Sequence, residues 1–296
     1  MTPNLKGLKV TVLGGDRREF VLIQALIGTG AVVTAVGYNE ELSNKKIQVK
    51  DSTIDAIQNA DVVIAPMSGA DEHGRVKKVP KPSVQITLDE KLFANMQRSS
   101  LFLIGMAGSK ITNFAQKNSI RLIQLAEVDE IAILNSIPTA EGAIQIAMEK
   151  MPITLHGSKT LVLGFGRCGI TLARVLHTLG SDTTVVARNL SQLARASEMN
   201  MRTQEWGQLQ NAVKGKDCIF NTVPAPVLSS KILDFVDKDC IIIDIASAPG
   251  GTDFKKAKEL GLEARLELGL PGKVAPLTAG KILAEHIPRI IAGHCL

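Results

Sequence analysis

Residues 160–180 determine the fold of the second half of the chain. They read Thr160-Leu-Val-Leu163, then Gly164-Phe-Gly-Arg-Cys-Gly169, then Ile170-Thr-Leu-Ala-Arg-Val-Leu-His-Thr-Leu-Gly180. An aliphatic strand, a Gly-x-Gly-x-x-Gly loop and a segment of helical apolar spacing follow one another directly. The first glycine permits a tight turn, the second lets the backbone approach a pyrophosphate, and the third lets the helix pack closely on the strand. This order predicts a dinucleotide-binding unit, with a purely structural glycine turn as the alternative. The predicted loop contacts are Gly164, Phe165, Gly166, Arg167, Cys168 and Gly169.

The end of the next strand indicates which dinucleotide is bound. An acidic residue there would bind the ribose 2′-hydroxyl of NAD, whereas this chain has Arg188 and Asn189. A guanidinium pairs with a 2′-phosphate and stacks on adenine, so NADP is favoured over NAD, the alternative being a solvated arginine beside bound NAD. Residues after two later strands are predicted to border the nicotinamide ribose, with ordinary loop polarity as the alternative. They are Asn221, Thr222, Val223, Pro224, Asp244 and Ser247.

Short aliphatic runs alternate with helical segments along the whole chain, which is typical of α/β folds with parallel sheets. We predict two doubly wound domains with a cleft between them, the first flavodoxin- or Rossmann-like and the second a Rossmann NADP domain. The first would span 1–134 as a substrate and partner domain, and the second 135–276, including a connector helix at 139–150. By analogy with two-domain dehydrogenases, a last helix at 277–296 would rejoin the first domain. The predicted strands are Lys9–Leu13, Ala31–Val36, Asp61–Ala65, Leu101–Ile104, Arg121–Leu125, Thr160–Leu163, Thr183–Ala187, Asp217–Asn221 and Cys240–Ile245. Helices are predicted at Phe20–Ile27 and Ile111–Lys117, and the polar stretch Asp71–Ser83 as an exposed loop.

Composition narrows the class of protein. Hydrophobic residues make up 45% of the 296 residues and aromatic residues 3%, so aliphatic side chains must fill the core. The net charge of +5 is mild and spread along the chain, and few aromatics are present to stack on bases, so we expect an anionic small molecule rather than a nucleic acid. The four cysteines are far apart and no apolar run reaches the roughly 20 residues of a membrane span, which favours a cytoplasmic protein with reduced thiols and no metal site.

The first domain opens with a related but incomplete loop, Gly14-Gly-Asp-Arg-Arg-Glu19, which lacks the third glycine. Arg17 and Arg18 at a helix start suit a carboxylate, although solvated arginines are the alternative. Two other strand ends, near Ser68 and Gly105, should converge on the same sheet edge.

None of the five histidines follows a late strand of the second domain, where 2-hydroxy-acid dehydrogenases carry their catalytic base. Hydride removal from an already activated ring, which needs little acid–base help, therefore fits better than alcohol oxidation.

Three segments together resemble the A-subunit family of dipicolinate synthases from spore-forming bacteria: GGDRREFVLIQALIGTGAVV (14–33), LNSIPTAEGAIQIAMEKMPITLHGSKTLVLGFGRCG (134–169) and LGLPGKVAPLTAGKIL (268–283). The resemblance implies oxidation of dihydrodipicolinate to dipicolinate, pyridine-2,6-dicarboxylate, with NADP as hydride acceptor, in the mother cell of a sporulating bacterium. It also implies a partner, a flavoprotein-like second subunit, and a homo-oligomer is possible. Aromatisation drives this oxidation, so the site needs mainly to orient the ring against a nicotinamide.

A dianionic substrate calls for an electropositive site. We assign substrate binding to Arg17, Arg18, Asn135, Ser136 and Lys273, and catalytic contacts to Ser68, Thr139 and Glu141. Glu141 would handle a proton, or else be a surface acid favoured by the helix dipole. Two alternative functions fit the same sequence: an NAD-dependent enzyme of the adenosylhomocysteine hydrolase type, and a regulatory subunit that senses NADP without turnover.

Overall fold

The computed structural model describes residues 3–39 and 47–295. The chain forms two compact units, one made of residues up to Leu134 together with those from Ala275 onward, the other of Asn135–Val274. The chain leaves the first unit inside one helix and returns to it at the start of the last helix.

The first unit is a six-stranded parallel sheet with helices on both faces, in the strand order β3-β2-β1-β4-β5-β6. Its strands are β1 (Lys9–Leu13), β2 (Val32–Val36), β3 (Ile47–Lys50), β4 (Val62–Ile64), β5 (Leu101–Ile104) and β6 (Arg121–Gln124). Its helices are α1 (Arg17–Gly28), α2 (Thr53–Ile57), α3 (Glu90–Asn95), α4 (Ser109–Lys117) and the first turns of α5 (Asp129–Lys150). The central strands are buried on both faces, as expected for a parallel sheet.

The second unit repeats the same plan, in the order β12-β11-β10-β7-β8-β9. Its strands are β7 (Lys159–Leu163), β8 (Asp182–Ala187), β9 (Arg202–Glu205), β10 (Cys218–Asn221), β11 (Ile241–Asp244) and β12 (Glu263–Leu266). Its helices are the rest of α5, α6 (Arg167–Thr178), α7 (Leu190–Glu198), α8 (Leu209–Ala212), α9 (Ser230–Leu233), α10 (Phe254–Glu259) and α11 (Leu270–Val274), with a 3-10 turn at Trp206–Gln208. Both orders reverse direction beside the first strand of the unit, which is the Rossmann pattern and places ligands at the carboxyl ends there.

The last helix, α12 (Pro276–Cys295), packs along α1 of the first unit. The two helices approach closely at Gly280, where an added Cβ would lie 2.9 Å from the Cβ of Val21. Further along α12, apolar side chains join the core that α1 also lines. They are Leu283, Ile287 and Ile291 from α12, beside Leu22 and Leu26 from α1.

The predicted α/β class with two doubly wound parallel sheets is confirmed, and each predicted strand is present to within one or two residues. The helix predicted for 139–150 in fact begins ten residues earlier, at Asp129, and contains Pro138 in its interior. Part of the segment between Gly269 and Pro276 forms the short helix α11. Three strands were not predicted, namely β3, β9 and β12.

Candidate functional site

The glycine loop of the second unit lies where β7 meets its two neighbours. Leu163 pairs with Val186 of β8 on one side and with Asn221 of β10 on the other, so three strands end together. Gly164 has a φ of +89°, and an added Cβ would lie 2.6 Å from the hydroxyl of Thr222. At Gly169 a Cβ would lie 2.2 Å from the Gly164 carbonyl oxygen. Both positions therefore require glycine for packing within the protein.

Gly166 differs from the other two glycines because no described atom lies within 4 Å of an added Cβ. It is the N-cap of α6, and no described side chain caps the first N–H groups of that helix. Arg167 at the first helical position is exposed, and Cys168 is partly buried, with burial raising its thiol pKa. The loop thus leaves an open cradle with uncapped N–H groups at the positive end of a twelve-residue helix, which fits an anionic group such as a pyrophosphate.

The end of β8 carries an exposed arginine held in place by an aromatic ring. The guanidinium carbon of Arg188 lies 5.4 Å from the centre of the Trp206 ring, a cation–π contact. Asn189 caps α7, and its Oδ1 accepts hydrogen bonds from both the backbone N–H and the hydroxyl of Ser191. A guanidinium at this sheet edge suits a phosphate better than a free ribose hydroxyl.

Two of the polar residues predicted near the nicotinamide ribose are fully buried and shape their own loops. Asn221 donates to the carbonyl of Val223 and accepts from its N–H, at 3.1 and 3.0 Å. Asp244 accepts from Ala246 N, Gly251 N and the Thr252 hydroxyl. Asn221 and Asp244 would thus affect a bound cofactor only indirectly, by holding the loops after β10 and β11 in shape. The predicted neighbours Thr222, Val223, Pro224 and Ser247 are partly or fully exposed.

The structure places most residues predicted on the connector inside α5. Ser136 is fully buried, with its hydroxyl 2.6 Å from that of Thr171, and Thr139 donates to the carbonyl of Asn135. The side-chain Oδ1 of Asn135 is buried and has no hydrogen-bond partner among the described residues. Glu141 is exposed beside an apolar groove between α5 and α6.

Lys273, predicted to bind substrate, lies on α11 and pairs with Glu267, its Nζ 3.1 Å from Oε2. Its ammonium is therefore partly neutralised within the second unit.

In the first unit, the turn after β1 is filled by its own carboxylates. Asp16 is the N-cap of α1, and Glu19 completes a capping box by accepting from the N–H of Asp16 at 2.7 Å. Arg18 donates two hydrogen bonds to the Asp16 carboxylate, from Nε at 2.9 Å and from Nη2 at 3.0 Å, and its side chain is only 5% exposed. Lys78 reaches the same carboxylate at 2.9 Å. Arg18 is thus committed to Asp16, whereas Arg17 is exposed.

Glu19 also joins this turn to the end of β4. Its Oε1 accepts from the N–H of Met67 at 2.9 Å, and burial raises the pKa of its carboxyl. The hydroxyl of Ser68, next in the chain, is buried and has no hydrogen-bond partner in the described part of the chain. Ser68 and the turn that carries Arg17 and Arg18 therefore lie at the same edge of the sheet, where the strand order reverses between β1 and β4.

The two units are alike in topology but opposite in the chemistry of this turn. Where the second unit has Gly166 and Gly169, the first has Asp16 and Glu19 at the same spacing after a positive-φ glycine. Carboxylates occupy the space in which the second unit leaves its cradle open. The first unit is therefore unsuited to a dinucleotide pyrophosphate, whereas the second fits one.

Four residues of these turns were not predicted from the sequence: Asp16, Glu19, Lys78 and Trp206. The Asp16–Glu19 spacing is a capping-box signal that does identify the start of α1. No local signal points to Lys78 or Trp206, because Lys78 lies 62 positions from Asp16 and Trp206 begins the 3-10 turn after β9, one strand beyond Arg188.

Among the described residues, no helix is both long and apolar enough to cross a membrane, and no group of three or more His, Cys, Asp or Glu side chains is placed to hold a metal.

Two Rossmann-type units, one with an open glycine loop, define a protein of the dehydrogenase fold class. L-alanine dehydrogenase has this fold, with a TM-score of 0.63 at 14% identity over 97% of this chain and 90% of that one. More specifically, a family model for the N-terminal domain of the dipicolinate synthase A-subunit matches residues 9–126.

Full-length relatives extend this match. The dipicolinate synthase A-subunit of Bacillus subtilis (strain 168) is 37% identical over 290 residues, 97% of each chain. The crystal structure of the dipicolinate synthase A-subunit from Bacillus halodurans has a TM-score of 0.90 at 35% identity, covering 97% of this chain and 99% of that one. The chain therefore belongs to the dipicolinate synthase A-subunit family, and the resemblance predicted from the sequence is confirmed.

Proposed function

We propose that the chain oxidises dihydrodipicolinate to dipicolinate with NADP, and that it does so as one subunit of a two-subunit enzyme. The family membership supports the substrate, since the relatives carry the name of a dipicolinate synthase. The assignment of NADP as cofactor rests on the open N-terminus of α6 at Gly166, together with Arg188 in its cation–π contact with Trp206.

The second unit, predicted as 135–276, would hold the cofactor. The uncapped N–H groups of α6 would bind its pyrophosphate, and Arg188 would bind its 2′-phosphate. Thr222, Val223, Pro224 and Ser247 would border its nicotinamide end, with Asn221 and Asp244 shaping those loops. When bound, NADP supplies an acceptor for a hydride from the substrate ring.

The first unit, predicted as 1–134, would hold the substrate and contact the partner, which we propose is flavoprotein-like. Ser68 suits a polar contact, because its buried hydroxyl has no partner among the described residues. Arg17 is exposed and placed to attract a carboxylate, whereas Arg18 contributes mainly by neutralising Asp16. Asn135, Thr139, Glu141 and Lys273 remain proposed contacts, whereas Ser136, predicted as a contact but fully buried, would act by supporting α5 through its hydrogen bond to Thr171. We place the protein in the cytoplasm of the mother cell of a sporulating bacterium.

Nucleotide titration tests the cofactor assignment, and the chain provides its own probe. Trp206 is its single tryptophan and touches Arg188, so its fluorescence should change when a 2′-phosphate binds. We expect NADP to bind more tightly than NAD, and Arg188→Ala to weaken NADP binding by about 1–3 kcal/mol while leaving NAD nearly unchanged.

Arg195→Ala is the matched control, because Arg195 lies on α7 and pairs with Glu198 at the surface. It should leave both affinities as they are. Equal affinity of the wild type for the two nucleotides would contradict NADP specificity, and no binding of either would contradict the cofactor site. Formation of NADPH in a single turnover with dihydrodipicolinate, with and without the partner subunit, then separates a catalyst from a sensor.

A further inference from the structure

The first unit carries a groove of about 490 Å³ beside the turn after β1. One wall is the start of α1 and the other is the segment 77–80, which comes from the long polar loop between β4 and α3. The lining residues are Gly15, Asp16, Arg17, Phe20, Lys77, Lys78, Val79 and Pro80.

The groove is rich in positive charge. Arg17 and Lys77 are exposed and make no ion pair with any described residue. Lys78 forms an ion pair with Asp16, but that carboxylate already accepts two hydrogen bonds from Arg18. The lining residues therefore carry one carboxylate and three cations, so an excess of positive charge remains for a ligand.

Backbone hydrogen bonds hold the lysine-bearing segment in place. The N–H of Gly15 donates to the carbonyl of Lys78 at 2.8 Å, and the N–H of Lys81 donates to the carbonyl of Gly37 at 2.8 Å. Lys81 also pairs with Asp51 at 2.6 Å. The loop is thus fastened to the turns after β1 and β2, so little backbone ordering is needed when its lysines bind a ligand.

The rest of the groove is apolar. Phe20 is 46% exposed, unusual for a phenylalanine, and Val79 and Pro80 lie on the opposite wall. A flat ring with charged substituents matches this combination of an aromatic face and surrounding cations.

We propose that this groove binds the substrate's two carboxylates through Lys77, Lys78 and Arg17, with its ring against Phe20. The ligand class is a planar six-membered ring bearing two carboxylates. This inference rests on the proposed function and adds two lysines and a phenylalanine to Arg17, the proposed substrate contact that lines this groove.

Dipicolinate itself is a stable probe for the test. It is titrated by calorimetry into the full chain, saturated with NADP, in metal-free buffer of low ionic strength. We expect Lys77→Met and Lys78→Met each to weaken binding about tenfold, because each removes a cation from the ligand's surroundings. Lys91→Met, on α3 outside the groove, should bind as the wild type does.

Comparing the affinities of different anionic ligands provides a second test of the groove. Picolinate, with one carboxylate, should bind at least about tenfold more weakly than dipicolinate, and inorganic phosphate at equal concentration should compete poorly. Phosphate competing as well as dipicolinate would overturn the proposal in favour of a general anion site.

The controls separate failure of the groove from failure of the proposed function. If Lys77→Met and Lys78→Met bind dipicolinate as the wild type does while NADP still changes Trp206 fluorescence, the groove is wrong and the proposed function stands. Should the wild type bind neither NADP nor dipicolinate, the proposed function fails as well. Lys78→Arg keeps the charge and should therefore bind dipicolinate as the wild type does. If Lys78→Met does not fold, the dipicolinate affinity of Lys77→Met tests the groove, because Lys77 has no ion pair with a described residue.

Discussion

Two residues in each unit determine what the turn after its first strand can hold. In the second unit Gly166 and Gly169 leave helix N–H groups uncapped, whereas in the first Asp16 and Glu19 satisfy the equivalent groups internally. Because an anion cannot readily displace a carboxylate that is bonded to the same helix start and to Arg18, the described turn after β1 is unsuited to a dinucleotide pyrophosphate although the unit has the fold. The same turn places two arginines at the start of α1.

Asp16 gives the protein a specific pH dependence. Burial acts to raise the pKa of its carboxyl, but hydrogen bonds from Arg18 and Lys78 outweigh burial and hold that pKa well below its ordinary value of 3.8. A carboxyl whose pKa is lowered on folding contributes stability above its unfolded pKa and loses it as the pH falls towards its folded pKa. Asp16→Asn, which keeps the helix cap, should lower the free energy of unfolding by about 3 kcal/mol near neutral pH.

The measurement is urea denaturation of both proteins across a range of pH. The difference between wild type and Asp16→Asn should be constant above about pH 5 and shrink as the pH falls below the ordinary aspartate pKa. Asp253→Asn is the control, because Asp253 also caps a helix, α10, but has no ion pair among the described residues. A difference that does not change with pH would show that the ion pair contributes nothing to stability.

The site residues differ in how far the sequence could predict them. The glycine loop and Arg188 follow β7 and β8 as predicted, because their signals are local and depend on strand and helix order, and their binding roles stay predictions. The pairing of Lys78 with Asp16 joins residues 62 positions apart, and Trp206 reaches Arg188 across the β8–β9 connection. Such contacts depend on how the elements pack, which no local pattern records.

The three strands that were not predicted from the sequence lie at sheet edges. β3, β9 and β12 are all outermost strands, and their residues are largely half-exposed. An edge strand has a polar face and a free side, so it lacks the aliphatic run that marks the buried central strands. The start of α5 was placed too late because Pro138 interrupts the pattern, although the helix runs through it.

The turn between β7 and α6 allows packing and binding to be tested separately. Gly166→Ala adds a methyl group that meets no described protein atom within 4 Å, so the fold should persist with a change in unfolding free energy below about 1 kcal/mol. The methyl group would nevertheless occupy the cradle, and NADP affinity should fall by at least about tenfold. Gly169→Ala places its methyl group 2.2 Å from the Gly164 carbonyl oxygen and should destabilise the protein by about 2–3 kcal/mol.

Thermal unfolding without nucleotide and the Trp206 titration distinguish these outcomes. A normal melting temperature with lost binding is expected for Gly166→Ala, and a lowered melting temperature for Gly169→Ala. If Gly166→Ala binds NADP as the wild type does, the pyrophosphate does not lie on the N-terminus of α6.

The first unit is built from two segments of the chain that are separated in sequence by the whole second unit. The polypeptide leaves it within α5 after Leu134 and returns at Ala275, and the returning helix α12 packs on α1. The contact is tight at Gly280, where an added Cβ would also lie 3.1 Å from the Cα of Arg18. The helix that carries Arg17 and Arg18 is therefore supported by residues that follow the whole second unit in the sequence.

This arrangement predicts that the end of the chain is essential to the core of the first unit. Ile287 of α12 is fully buried in the core that includes Leu22 and Leu26 of α1, so Ile287→Ala should lower the free energy of unfolding by about 3 kcal/mol. Leu277 lies on the same helix but is 59% exposed, and Leu277→Ala should change it by less than about 0.5 kcal/mol. Urea denaturation followed by circular dichroism measures both. Equal and small effects would mean that α12 merely covers the surface, whereas the expected contrast would show that α1 and α12 stabilise one core, so the first unit is complete only once the last helix has been made.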